Sequence, residues 1–108
     1  MTDGRVWIPE DLQPGPLVWL QGWFAGHCDG DWEHDRGITI ETLDNPGWRV
    51  RIELGGTEQQ SVAFDRTEVH RAEHDWYELW VDGTGFEAAC GPLNLGEVIH
   101  AFRAWCQR

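Results

Sequence analysis

The sequence predicts an α+β domain: an antiparallel meander of about five strands, with an N-terminal and a C-terminal helix packed on one face. Three observations point to it. The apolar spacing changes from helical to alternating after Gly37. Asn45-Pro46-Gly47 and Asp82-Gly83 are turn signals set between alternating runs. The C-terminal segment carries an apolar stripe at helical spacing behind a capping residue, Asn94. The chain of 108 residues is expected to form one domain over 17–108 after a lead-in over 1–16, and a domain of this size buries roughly 60 to 70% of its unfolded surface.

Taken in order, Pro9, Pro14 and Pro16 make residues 1–16 an extended lead-in, with Trp7 and Ile8 as its anchors. Gly15-Pro16 starts a helix, because proline at the first helical position loses no needed N–H, and the helix is expected to run to about Cys28. Leu17, Leu20, Phe24 and Cys28 share one face of it, with Trp19 and Trp23 on the adjoining one. In the first hairpin Ile38 and Ile40 oppose Thr39 and Glu41. Trp48, Val50, Ile52 and Leu54 then alternate with Arg49, Arg51 and Glu53. The expected turn between them is type II, with Gly47 at φ > 0. Gly55-Gly56 ends this hairpin. A third strand is expected around 61–64, extending toward Val69, and a fourth over 76–81 in a central position, since it is apolar on both faces. Asp82-Gly83 leads to a fifth strand over 86–90. Before the final helix, Asn94 with Glu97 resembles a capping box, and Leu93 with Val98 a hydrophobic staple. The stripe Leu95, Val98, Ile99, Phe102, Trp105 and Cys106 faces the sheet.

Charge narrows the function. Nineteen Asp and Glu oppose eight Arg and no Lys, for a net charge of −11, which repels nucleic acid and anionic membranes and favours a basic protein partner. The three cysteines are widely spaced with no CxxC, as expected of free thiols in a reducing cytoplasm. The N-terminus lacks a basic stretch followed by an apolar run, so no signal peptide is expected.

The segment 28–48 concentrates the candidates. Asp29, Asp31, Glu33 and Asp35 cluster before the first strand, with His34 among them, and Trp32 and Trp48 bracket that strand. Read as a recognition surface, Asp29, Asp31, Trp32, Glu33, His34, Asp35, Asp44, Asn45 and Trp48 bind a partner, the rings as anchors and the carboxylates as charge. Read as structure, both rings pack in the core and the carboxylates solvate a loop. A hydrolase reading uses Cys28 to His34 as a metal or thiol site. Starting an EF-hand at Asp29 puts His34 where Gly is needed and Ile40 where a bidentate Glu is needed, and no zinc pattern is present, so no metal or cofactor is expected. His70 and His74 read as surface histidines, and the thiols as buried and inert. A third reading is a small-ligand binder with a Trp-lined cleft beside the first helix.

Trp19-Leu20 with Trp23-Phe24, then Cys28-Asp29-Gly30-Asp31-Trp32-Glu33-His34, Gly37-Ile38 and Thr42-Leu43-Asp44-Asn45-Pro46-Gly47-Trp48 form ordered motifs. Together they resemble the immunity protein 53 family of bacterial polymorphic toxin systems. Weaker matches follow in order: Trp76, the approach to the last helix over 91–95, Phe102 and Trp105. Phe24 stands where the family pattern has Tyr. The resemblance implies an intracellular, non-catalytic protein, encoded beside a secreted toxin, that binds the toxin and blocks it in the producing cell. It assigns no role to individual residues.

Overall fold

The computed structural model describes residues 15–108. The lead-in expected over 1–16, with Trp7 and Ile8, lies outside the described residues apart from Gly15 and Pro16. In chain order the elements are α1 (Pro16–His27), α2 (Trp32–Asp35), β1 (Ile38–Leu43), β2 (Gly47–Glu53), β3 (Thr67–Ala72), β4 (Asp75–Asp82), β5 (Gly85–Cys90) and α3 (Leu95–Cys106). The five strands form one antiparallel sheet, with a helix before and after it, as the sequence predicts.

The strand order is β1-β2-β5-β4-β3, not that of a sequential meander. After β2 the chain crosses to the far edge and returns through β3 and β4, so that β5 pairs with both β4 and β2. The middle position therefore belongs to β5, with β4 beside it. Burial explains this: Phe86, Ala88 and Cys90 are fully buried on the helix side, and Glu87 is buried on the other.

One face of the sheet carries Val50, Ile52, Leu79, Phe86, Ala88 and Cys90 against Leu20 of α1 and Val98, Ile99, Phe102 and Trp105 of α3. The α3 stripe is buried as its spacing predicts. In α1 Leu20 is the buried residue, and beside it the half-buried Trp19 and Trp23 meet Phe102 edge-on at centroid distances of 5.9 and 5.2 Å. Leu17 stays 56% exposed and Cys28 lies at the surface, so the face expected from Leu17 to Cys28 is only partly covered.

Four local expectations are corrected. Residues 61–64 form no strand; the ladder starts at Thr67. The apolar signal there comes from Phe64 packing against Phe86 and Trp105, while the Trp105 indole N–H donates to the Ala63 carbonyl at 3.1 Å. Asn94 stands at the N-cap position of α3 as expected, but its side chain makes no cap hydrogen bond. Its amide oxygen accepts from the Trp76 N–H, and its amide nitrogen donates to Asp75 and Glu97, pinning α3 to the start of β4. Leu93 is 93% exposed, so no staple forms. The β1–β2 turn is not type II, because Gly30, Gly56 and Gly83 are the glycines with positive φ among the described residues and Gly47 is not one of them. Residues 44–46 join the paired Leu43 and Gly47.

Candidate functional site

The acidic loop between α1 and β1 is built by its own carboxylates. Asp29 Oδ1 accepts from the backbone N–H groups of Asp31 and Trp32 at 3.0 and 2.9 Å. Glu33 reaches back to the N–H groups of Asp29 and Gly30 at 3.0 and 2.8 Å. This reciprocal arrangement satisfies the Trp32 N–H at the start of α2 and the three N–H groups of the turn before it. Both acids are held below their ordinary values, Asp29 by the N–H of Trp32 and then of Asp31, Glu33 by its own N–H and then those of Asp29 and Gly30. A depressed folded pKa contributes stability above the unfolded value that is lost as pH falls through the folded one. Loop order is therefore expected to be complete above about pH 4.5, the ordinary Glu value, and to decay below the ordinary Asp value of 3.8. Amide exchange of Asp31 and Trp32 across an acid titration checks this. Unchanged protection well below those values would count against the arrangement.

Trp32 sits inside. It is 6% exposed, its indole N–H donates to the Gly55 carbonyl at 2.8 Å, and its ring meets those of Trp23, Phe24 and His27 at 6.1, 5.9 and 5.6 Å. Of the two readings of Trp32, core packing is the one the burial supports, and the exposed anchor is not: the ring fastens the acidic loop to the end of β2. Trp48 is half-buried against the core on the helix side and donates to the Pro92 carbonyl at 3.0 Å. Asp31, His34 and Asp35 are exposed at one end of β1, and Asp44 and Asn45 at the other, about 17–20 Å away for a strand of this length. The nine candidates thus do not form a single patch.

What joins the two ends is the sheet face that no helix among the described residues covers. A groove of about 350 Å³ runs from His34, Asp35 and Arg36 past Thr39 to Arg51 and Glu53. A second, of about 310 Å³, continues over Thr39, Glu41, Leu43, Arg49, Arg51 and Glu87. Its floor is Glu87, 3% exposed, held by Arg49 at 2.9 Å and by Arg51. Arg51 also donates to Glu53 at 2.7 Å and lies flat over Gly85, where any side chain would collide with its guanidinium. Arg49 and Arg66 lie over Trp80 at 5.3 and 5.0 Å. Sequence reasoning missed Glu87 and Trp80. The alternation of Arg49, Arg51 and Glu53 marked this face as polar, but the β2–β5 pairing that brings Glu87 beneath the arginines is non-local.

The Cys28 to His34 cluster does not converge on a metal geometry. Among the described residues, the one group of three such side chains with ligand atoms within 4.8 Å of one another is Glu68, His70 and Glu78. Arg66 already supplies a cation there, at 2.9 Å from Glu68 and 3.5 Å from Glu78. Cys28 is exposed, not buried as expected, and donates to the Phe24 carbonyl at 3.3 Å. Desolvation, then Glu33 and Asp29, push its thiol up, and burial pushes Cys90 up to about 11 and Cys106 up to about 12. An activated thiol is shifted the opposite way. Beside α1 lies a groove of about 230 Å³ lined by Leu17, Leu20, Gln21, Phe24 and Ile38, with no Trp in it.

The sequence profile of immunity protein 53 matches residues 17–107. The chain belongs to the immunity protein 53 family. No curated protein matches it, and no solved structure does. Within this immunity protein, no helix among the described residues is long and apolar enough to cross a membrane.

Proposed function

We propose that this immunity protein binds and neutralises a cognate toxin in the cytoplasm of the bacterium that produces both, as a stoichiometric, non-catalytic inhibitor that needs no cofactor. The family match over residues 17–107 carries the reading. The charge of −11 supports a basic protein surface as the target, and not nucleic acid or a membrane. The exposed carboxylates Asp31, Asp35, Glu41 and Asp44 are spread along β1 and its two ends, beside the Arg49–Glu87–Arg51 floor. Asp29 and Glu33 belong to the loop's own framework, and Trp32 to its interior, so the recognition charge falls to the remaining members of the acidic segment.

Exposed rim charges act chiefly on the association rate, screened over about 8 Å at physiological ionic strength. Asp31→Arg with Asp35→Arg is expected to slow association with the toxin domain encoded by the neighbouring gene by about tenfold at low salt, with little change in melting temperature. Surface plasmon resonance at several salt concentrations, beside thermal melts, reads both. A salt-independent association rate, with the reversed variant binding like wild type, would place the interface elsewhere.

A further inference from the structure

The sheet has two edges, and they are finished differently. β3 carries Glu68, His70 and Arg71, and its register shifts between His70 and Ala72. Charge and a bulge of this kind blunt an edge against pairing with another chain. β1 has neither. Its six residues, Ile38 to Leu43, pair with β2 without interruption, include two Ile and two Thr, and contain no proline.

The backbone groups left open on β1 can be assigned. The Glu53 N–H donates to the Gly37 carbonyl at 3.0 Å, one step before the Ile38–Ile52 pair. Bonded and unbonded pairs alternate in an antiparallel ladder. Thr39, Glu41 and Leu43 therefore direct their backbone groups toward β2, while Ile38, Ile40 and Thr42 turn theirs outward. Among the described residues, nothing pairs with that outer edge.

The two sides of the edge differ in chemistry. On the helix side lies the apolar groove of Leu17, Leu20, Phe24 and Ile38. On the open side Asp35 and Glu41 line the two grooves beside β1, and Asp44 is exposed just beyond its far end. A strand laid against β1 sends alternate side chains to these two sides.

We propose that β1 is the toxin-docking edge, and that it takes an extended, positively charged segment of the toxin as a sixth strand, with apolar side chains in the α1 groove alternating with basic ones beside Asp35, Glu41 and Asp44. The inference rests on the toxin-binding reading above. Charge selects this occupant over a second copy of the chain, since self-pairing would bring two molecules of charge −11 together edge to edge, with Glu41 on both.

The test is hydrogen exchange at Ile38, Ile40 and Thr42 in the full-length protein, alone and with the toxin domain encoded by the neighbouring gene. Alone, these amides should exchange rapidly beside the protected amides of Thr39 and Glu41; with the toxin, they should slow by about tenfold or more. Thr42→Pro removes an outward N–H at an exposed edge position where proline is tolerated. It should weaken binding by about tenfold, the equivalent of one hydrogen bond, and leave the melting temperature nearly unchanged. If that variant misfolds, exchange in the wild type decides. Toxin binding without new protection at these amides overturns the docking edge and leaves the function standing. No toxin binding at all overturns both. Slow exchange at these amides in the free protein means that the chain itself or a second copy covers the edge, and also overturns the proposal.

Discussion

Replacing Trp32 by Ala is expected to lower the melting temperature by roughly 15 °C or more, because a buried tryptophan truncated to alanine costs about 3–5 kcal/mol and each kcal/mol shifts a domain of this size by about 4–8 °C. The ring is 6% exposed and closes a chain of aromatic contacts from Phe102 through Trp23. Its loss opens a cavity under the acidic loop and strands the Gly55 carbonyl that it binds at 2.8 Å. Trp32→Phe keeps most of the packing and loses the hydrogen bond, so it should fall between the two, about 1 kcal/mol or more below wild type. The folded fraction of either variant should release the toxin at the wild-type rate. A Trp32→Ala protein that melts like wild type yet dissociates faster would return the ring to the surface as an anchor.

That contrast marks what the sequence made legible. Local patterns were readable because they depend on neighbours in the chain: the start of α1 at Pro16, the alternation of β2, the Gly83 turn and the α3 stripe are all where spacing puts them. Long-range pairing was not readable. Nothing local in Phe86-Glu87-Ala88 says that β2 will lie beside it, so neither the place of β5 between β2 and β4 nor the role of Glu87 can be read from the sequence. Val62 and Phe64 gave an apolar signal that a strand and a loop plugging the α3 interface share. Of the candidate site, composition disclosed the carboxylates but not their use. Asp29 and Glu33 bind backbone N–H groups, a geometry that depends on Gly30 at φ 93° and the turn of chain around it. The resemblance supplied the family, which no pattern of charge or periodicity contains.

The site and the fold share one design constraint. Among the described residues the five strands leave two edges and one face without a helix, and an antiparallel sheet tolerates water on such a face if it is polar. Here the polarity is organised: Arg49 and Arg51 on β2 reach Glu87 on β5, which lies buried beneath them. Removing one partner of so enclosed a carboxylate leaves the remaining charge poorly compensated.

Gly47→Val is expected to be the most damaging single substitution in the first hairpin, costing more than about 4 kcal/mol. Glycine is needed at this position for close approach, not for positive φ. A Cβ at Gly47 would fall on the carbonyl oxygen of Cys90, which belongs to the backbone and cannot rotate away. Gly47 opens β2 immediately before the Trp48–Cys90 pair, so relief of the clash must push β2 from β5 at the centre of the sheet. There Val50, Ile52, Phe86 and Ala88 are fully buried, and densely packed interiors do not absorb such shifts. The branched side chain adds two methyl groups to an overlap that alanine already makes. Asparagine separates the two possible reasons for the glycine. A type II turn accepts Asn at its positive-φ position with little loss, whereas a backbone collision rejects any Cβ. Gly47→Asn should therefore fall close to Gly47→Ala in thermal melts, both far below wild type. An Asn variant that melts like wild type would show that the turn, and not the Cys90 carbonyl, demands the glycine.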